Sequence, residues 1–207
     1  MRHARERFCR RIAWLLAAPT AFWPVLAAAH IEAGSAGDGG FVSGLQHPIS
    51  GLDHVVAMVA VGLWGAQLGA PATWVLPIAF PLIMAVGGVF GVMGVPVPNV
   101  EFGIALSGVV LGLMVALAAR PPLWLAMLIV AAFAIFHGHA HGSALPAFGV
   151  PILYASGFVI ATGLLHLCGI VIGATNRWQG GEALIRGGGV LIALTGAYFL
   201  YLQLRLT

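Results

Sequence analysis

The sequence predicts an all-α integral membrane protein: a helical bundle of six transmembrane helices behind a cleaved signal peptide. Three observations carry that prediction. The 207 residues are 60% apolar and 7% charged, with a mean hydropathy of +1.01, whereas soluble domains are roughly 25% charged. The apolar residues fall into blocks long enough to cross lipid. The sparse ionisable residues gather near a few block ends. Lipid solvates apolar side chains but leaves backbone groups to pair internally, which helices do.

Taken in order, residues 1–29 read as a signal peptide, with an uncleaved first membrane helix as the alternative. MRHARERFCRR carries five arginines, IAWLLAAPTAFWPVL is an apolar core, and LAAA supplies the small residues a signal peptidase cleaves after. Residues 30–207 then form the six-helix transmembrane domain. Without the signal the chain keeps Arg120, Arg177, Arg186 and Arg205 against Glu32, Asp38, Asp53, Glu101 and Glu182. The basic pI of 9.4 therefore belongs mostly to the signal, and no basic stripe for nucleic acid remains. Cys9 leaves with the signal and Cys168 is expected to serve packing, so no disulfide framework forms.

After the polar stretch HIEAGSAGDGGFVSG, apolar blocks run over about 51–70, 73–95, 100–119, 122–140, 150–175 and 183–204. At ~1.5 Å per residue each covers a hydrocarbon core of ~30 Å. Short joints carry turn residues, as in GAPAT, GVPVPN and RPP. With the mature N-terminus outside, Arg120, Arg177 and Arg186 fall on the inner side and Arg205 on the outer side, as the positive-inside rule requires. Gly87 with Gly91, Gly108 with Gly112, and Gly169 with Gly173 are small-xxx-small pairs that let helices approach closely. Pro77 and Pro81 remove two backbone donors inside the second span and free carbonyls one turn earlier.

On this topology His47, Asp53 and His54 stand at the outer start of the first span, Glu101 at the outer start of the third, and His137, His139 and His141 at the outer end of the fourth. Polar residues so costly in lipid normally face the bundle interior and mark an ion path. His137 and His141 share one helix face, and His139 points nearly opposite. Imidazole with carboxylate suits borderline divalent ions. His166 falls deeper, in the inner half of the fifth span, as a relay point or as a neutral histidine held by Thr162. Cleavage in the LAAAH context leaves His30 close to a free α-amine, a further chelating end on a flexible tether.

HPISGLDH (His47–His54) reads as the His-x5-Asp-His signature of the HupE/UreJ family of nickel permeases, and FHGHAHGSALP (Phe136–Pro146) resembles that family's FHGxAHGxExP motif. The resemblance extends over the whole mature chain, including VEFGIALSGVVLGL after Asn99. Carried over residue by residue, it implies His47, Asp53, His54, His137 and His141 as site positions. One position departs: Ala144 stands where the family pattern has glutamate, and Glu101 or His139 is left to compensate.

The expected function is a secondary permease that takes up a divalent transition metal through an outer His/Asp site, with nickel leading and cobalt, copper and zinc open. Metal is cargo, and no permanently bound cofactor is expected. The chain has no lysine, so no Walker A motif and no ATP hydrolysis of its own. The alternatives are an intramembrane metal-dependent enzyme, for which HGHAH lacks the zincin glutamate at Gly138, and a haem-binding redox protein with facing axial histidines. The expected setting is a bacterial inner membrane with the mature N-terminus periplasmic. The expected partners are a metal ion and lipid, with an indirect link to hydrogenase or urease maturation and none to nucleic acid.

Overall fold

The computed structural model describes residues 40–145 and 151–206. The expected signal peptide, His30 and Pro146 lie outside them. All regular structure among the described residues is helical. The order is α1 (Phe41–Ser50), α2 (Leu52–Leu68), α3 (Ala72–Val92), α4 (Val100–Ala116), α5 (Leu123–Ser143), α6 (Pro151–Gly173), a 3-10 turn (Ala174–Arg177) and α7 (Gly181–Leu206).

Among the described residues four helices are long and apolar enough to cross a membrane: α3, α5, α6 with its 3-10 extension, and α7. The pair α1 and α2 makes a fifth candidate, bent by 85° at its break. Helix α4, at 17 residues, is shorter. The surface between helix ends is studded with Leu82, Leu128, Leu164 and Leu191, all exposed, as lipid contact requires. This is a membrane protein.

The first span departs from expectation. Sequence punctuation by Gly, Ser and Pro reads as a turn before Gly51, yet Phe41–Ser50 is helical and carries His47. Packing overrides the weak helix propensity here. Gly44 and Pro48, one turn apart, are the buried residues of α1. A side chain at Gly44 would strike the Tyr154 carbonyl, and one at Gly157 would strike the Phe41 carbonyl, so α1 and α6 meet backbone to backbone.

The same device joins the other helices. Gly87 and Gly91 lie on the backbone of Ile135 and His139, while Gly138 and Gly142 lie on the carbonyls of Met84 and Gly88, which closes α3 on α5. Gly108 and Gly112 interlock with Gly196, Ala193 and Gly189, closing α4 on α7. Gly62 and Gly169 each meet the opposite backbone of the α2–α6 pair, and Gly173 meets Ala66. All three glycine pairs named from the sequence thus stand in helix–helix seams, where van der Waals contact replaces the hydrophobic drive that lipid removes.

Helix α2 touches α3, α4, α6 and α7. Its Ala57, Met58, Ala60, Val61 and Trp64 are fully buried, consistent with a helix that is apolar all round. It also caps its neighbour. Trp64 Nε1 donates to the Ala119 carbonyl (2.9 Å), Gln67 Nε2 to that of Val115 (3.1 Å), and Arg186 Nε from α7 to that of Ala116 (2.9 Å). These carbonyls lie at and just past the end of α4, where a helix runs out of its own donors, and that of Val115 also accepts from the Ala118 N–H. Cys168 corrects another expectation: it is exposed on α6 rather than packed in the core.

Candidate metal centre

The break between α1 and α2 builds the first half of the site. Gly51 ends α1 and precedes α2 in extended conformation. An added side chain there would come within 2.8 Å of Asp53 Oδ1 and 2.9 Å of His54 Nδ1, so glycine leaves room for that pair. In the pair, Asp53 Oδ1 accepts from the His54 backbone N–H and from His54 Nδ1–H, both at 2.9 Å. A carboxylate only accepts. The proton on Nδ1 therefore leaves Nε2 of the neutral ring with a free lone pair, the donor a metal takes.

Helix α5 builds the second half with the same logic. His137 Nδ1 donates to the Phe133 carbonyl at 2.9 Å, again freeing Nε2. His137 and His141 share one face, while Gly138 and Gly142, one position on, share the face that seats α5 against α3. HGHAHG thus encodes two interleaved i,i+4 pairs, one for chemistry and one for packing. His139 is turned away from both, and its Nε2 donates to the Val95 carbonyl at 2.8 Å. It ties α5 to the loop between α3 and α4.

The two halves meet. The His54 ring lies 4.7 Å from that of His141 and 5.1 Å from that of His137, and the His47 ring lies 4.8 Å from that of His141. Nε2 of His54, His137 and His141 is in each case buried without a hydrogen-bond partner. Such a group costs about 1–3 kcal/mol, and three of them occur in one cluster of touching rings. Side-chain exposure falls from 20% at Asp53 and 15% at His54 to 7% at His141 and 0% at His137, a gradient from mouth to interior. The rings pack edge to face or tilted, and among the described residues no three His, Cys, Asp or Glu side chains are set to share one ion.

Residues beyond the sequence-based candidates complete the surroundings. Tyr154 and Phe158 from α6 flank His47, and Phe158 lies 4.4 Å from the His141 ring. Phe80 of α3 is fully buried and stands between His137 (5.5 Å) and His166 (5.4 Å). An aromatic inside an apolar run gives no composition signal. The one legible hint is its place between Pro77 and Pro81. His166 is 1% exposed and Thr162 0%, and the Thr162 hydroxyl makes no hydrogen bond to the ring, so Thr162 is not what holds it. Glu101 is exposed at the start of α4, and no ring contact or hydrogen bond joins it to the histidines among the described residues. Ala144 ends α5 and offers no carboxylate.

Comparison with known proteins agrees with the motifs. The family model described as HupE / UreJ protein matches residues 18–199. Protein HupE of Rhizobium leguminosarum bv. viciae is 44% identical over 172 residues, covering 83% of this chain and 90% of that protein. No solved structure matches. With its motifs on touching helices and its length matched almost throughout, the chain belongs to the HupE/UreJ family, whose members are metal permeases rather than enzymes.

Proposed function

We propose that this chain is a secondary permease for a divalent transition-metal ion, nickel first and cobalt next, that captures its cargo at the outer face through His47, His54, His137 and His141. The observation that carries the proposal is the set of unpartnered, buried Nε2 atoms on His54, His137 and His141. Imidazole nitrogens held with a free lone pair suit borderline ions, whereas the lack of thiolates disfavours soft ones. Asp53 fixes the His54 tautomer and places a negative charge at the mouth, which offsets the cost of drawing a dication out of water. Capture then needs the rings to turn from edge-to-face packing toward a common centre. His30 belongs to the capture step in this reading, as a chelating imidazole near the α-amine that signal cleavage frees.

In this reading the chain crosses the bacterial inner membrane six times, with α1–α2 as one broken span and α4 as a short one. The signal is removed and the mature N-terminus is periplasmic. A broken span is how many transporters expose helix ends and backbone to an ion. The ion is drawn from the periplasmic side, and the cell interior receives nickel for hydrogenase or urease maturation. The test is uptake of radioactive nickel into proteoliposomes holding the purified full chain, with cobalt, copper, zinc and magnesium as competitors. Saturable uptake inhibited by cobalt but not by magnesium is expected. Equal uptake by protein-free vesicles overturns the proposal.

A further inference from the structure

Resting on the transport reading above, we propose a second ion-binding station deeper in the bundle, formed by the His166 imidazole and the Pro77 backbone carbonyl and divided from the outer histidines by the Phe80 ring. In a regular helix the carbonyl of residue 77 accepts from the N–H of residue 81. Residue 81 is proline, with no N–H to give. The Pro77 carbonyl is therefore left without its main-chain partner inside a membrane, where backbone groups are otherwise paired. Phe80, three residues on from Pro77, packs against the His166 ring at 5.4 Å, and the Pro77 carbonyl is near enough to act on that ring as an acceptor, although neither ring nitrogen reaches full hydrogen-bond geometry. One turn earlier on α6, the buried Thr162 hydroxyl is also unpartnered.

Three polar groups thus lack a regular hydrogen bond in this part of the interior, two of them one turn apart on α6 and one freed on α3 by a proline. A core whose only demand were packing would have apolar residues here, because each unpaired group costs about 1–3 kcal/mol. A divalent ion uses what they offer: an imidazole lone pair, an amide oxygen and a hydroxyl oxygen, with water completing the shell. The station carries no carboxylate. It holds an ion more weakly than the outer cluster, which conduction requires of the site from which an ion leaves. Phe80 touches the histidines on both sides, so an ion moving inward displaces that ring, and the prolines on either side of it mark where α3 can yield.

The alternative is a structural latch in which His166 simply hydrogen-bonds the freed carbonyl. Two variants separate them. His166→Gln keeps an amide donor for the carbonyl but loses the imidazole. Pro81→Ala returns an N–H that engages the Pro77 carbonyl within α3, with no change to any side chain at the station. The experiment titrates cobalt(II) into the purified full chain, followed by calorimetry and by visible absorption, and measures cobalt uptake by the same proteins in vesicles. The wild type is expected to bind in two steps. Both variants are expected to keep the tighter step, to lose the weaker one and to transport at least tenfold more slowly. Two-step binding and wild-type uptake by His166→Gln overturn the station in favour of the latch. A single step in the wild type that still transports overturns it as well. Absence of both binding and uptake in the wild type overturns the transport reading itself.

Discussion

Asp53 is assigned here to hold His54 rather than the ion, and that assignment has a measurable size. Its Oδ1 accepts two hydrogen bonds from His54, one from the ring and one from the backbone. A hydrogen bond to a charged group contributes about 1.5–3 kcal/mol. At about 1.4 kcal/mol per factor of ten, loss of the ring contact lowers metal affinity by ~10–100-fold, which is the range seen when outer partners of metal-binding histidines are removed. Asp53→Ala should show that full loss. Asp53→Asn should lose about tenfold or less, because the amide oxygen still accepts from Nδ1–H. Calorimetric titration of nickel into purified protein reads both. An Asn variant as impaired as the Ala variant would show that the carboxylate charge binds the ion directly. A Kd for Asp53→Ala within about threefold of wild type would refute any role at the site.

His137→Ala and His141→Ala each delete one of the free Nε2 atoms and should lower the initial rate of nickel uptake by at least ~10-fold at unchanged membrane level; wild-type rates in either exclude that ring from the path. Gly142→Val places a side chain on the Gly88 backbone, whereas Gly163→Val points into open space. The first should lose about 1–3 kcal/mol and the second under about 0.5 kcal/mol, as read from denaturation midpoints in detergent. His30→Ala should slow uptake more at low than at saturating nickel, once mass spectrometry has placed the mature N-terminus; an unchanged concentration dependence removes His30 from the capture step.

Much of the fold was legible because lipid imposes simple rules. Apolar length marks α3, α5, α6 and α7, and the glycine pairs at 87/91, 108/112 and 169/173 mark seams, since only a missing side chain allows backbones to touch. Helix α1 was not legible. Its Gly44 and Pro48 are poor helix formers, and they are tolerated only because they fit α6, a fact of tertiary packing. At the site, the i,i+4 spacing of His137 and His141 predicts their common face, and two residues of separation predicts that His139 turns away. The Asp53–His54 bond depends on the bend at Gly51 and has no sequence signal. Phe80, Tyr154 and Phe158 were hidden for a different reason. In an apolar chain an aromatic residue that flanks an imidazole looks like any other packing residue.

The brevity of α4 has a consequence for the membrane around it. Seventeen residues rise only about 25 Å, against a hydrocarbon thickness of ~30 Å. The helix end does not need water, because Trp64, Gln67 and Arg186 already satisfy its carbonyls. As the short span of the six-span reading proposed above, it would stop inside the low-dielectric layer, and the polar groups gathered there would draw the nearby headgroups inward. In that reading the bilayer beside α4 is expected to be pinched relative to that beside the 21-residue α3 and α5. Such a pinch shortens the insulating layer that an ion has to cross and makes acyl-chain length a determinant of turnover: vesicles of short-chain lipid relieve the mismatch, and long-chain lipid loads it onto the α4–α7 pair.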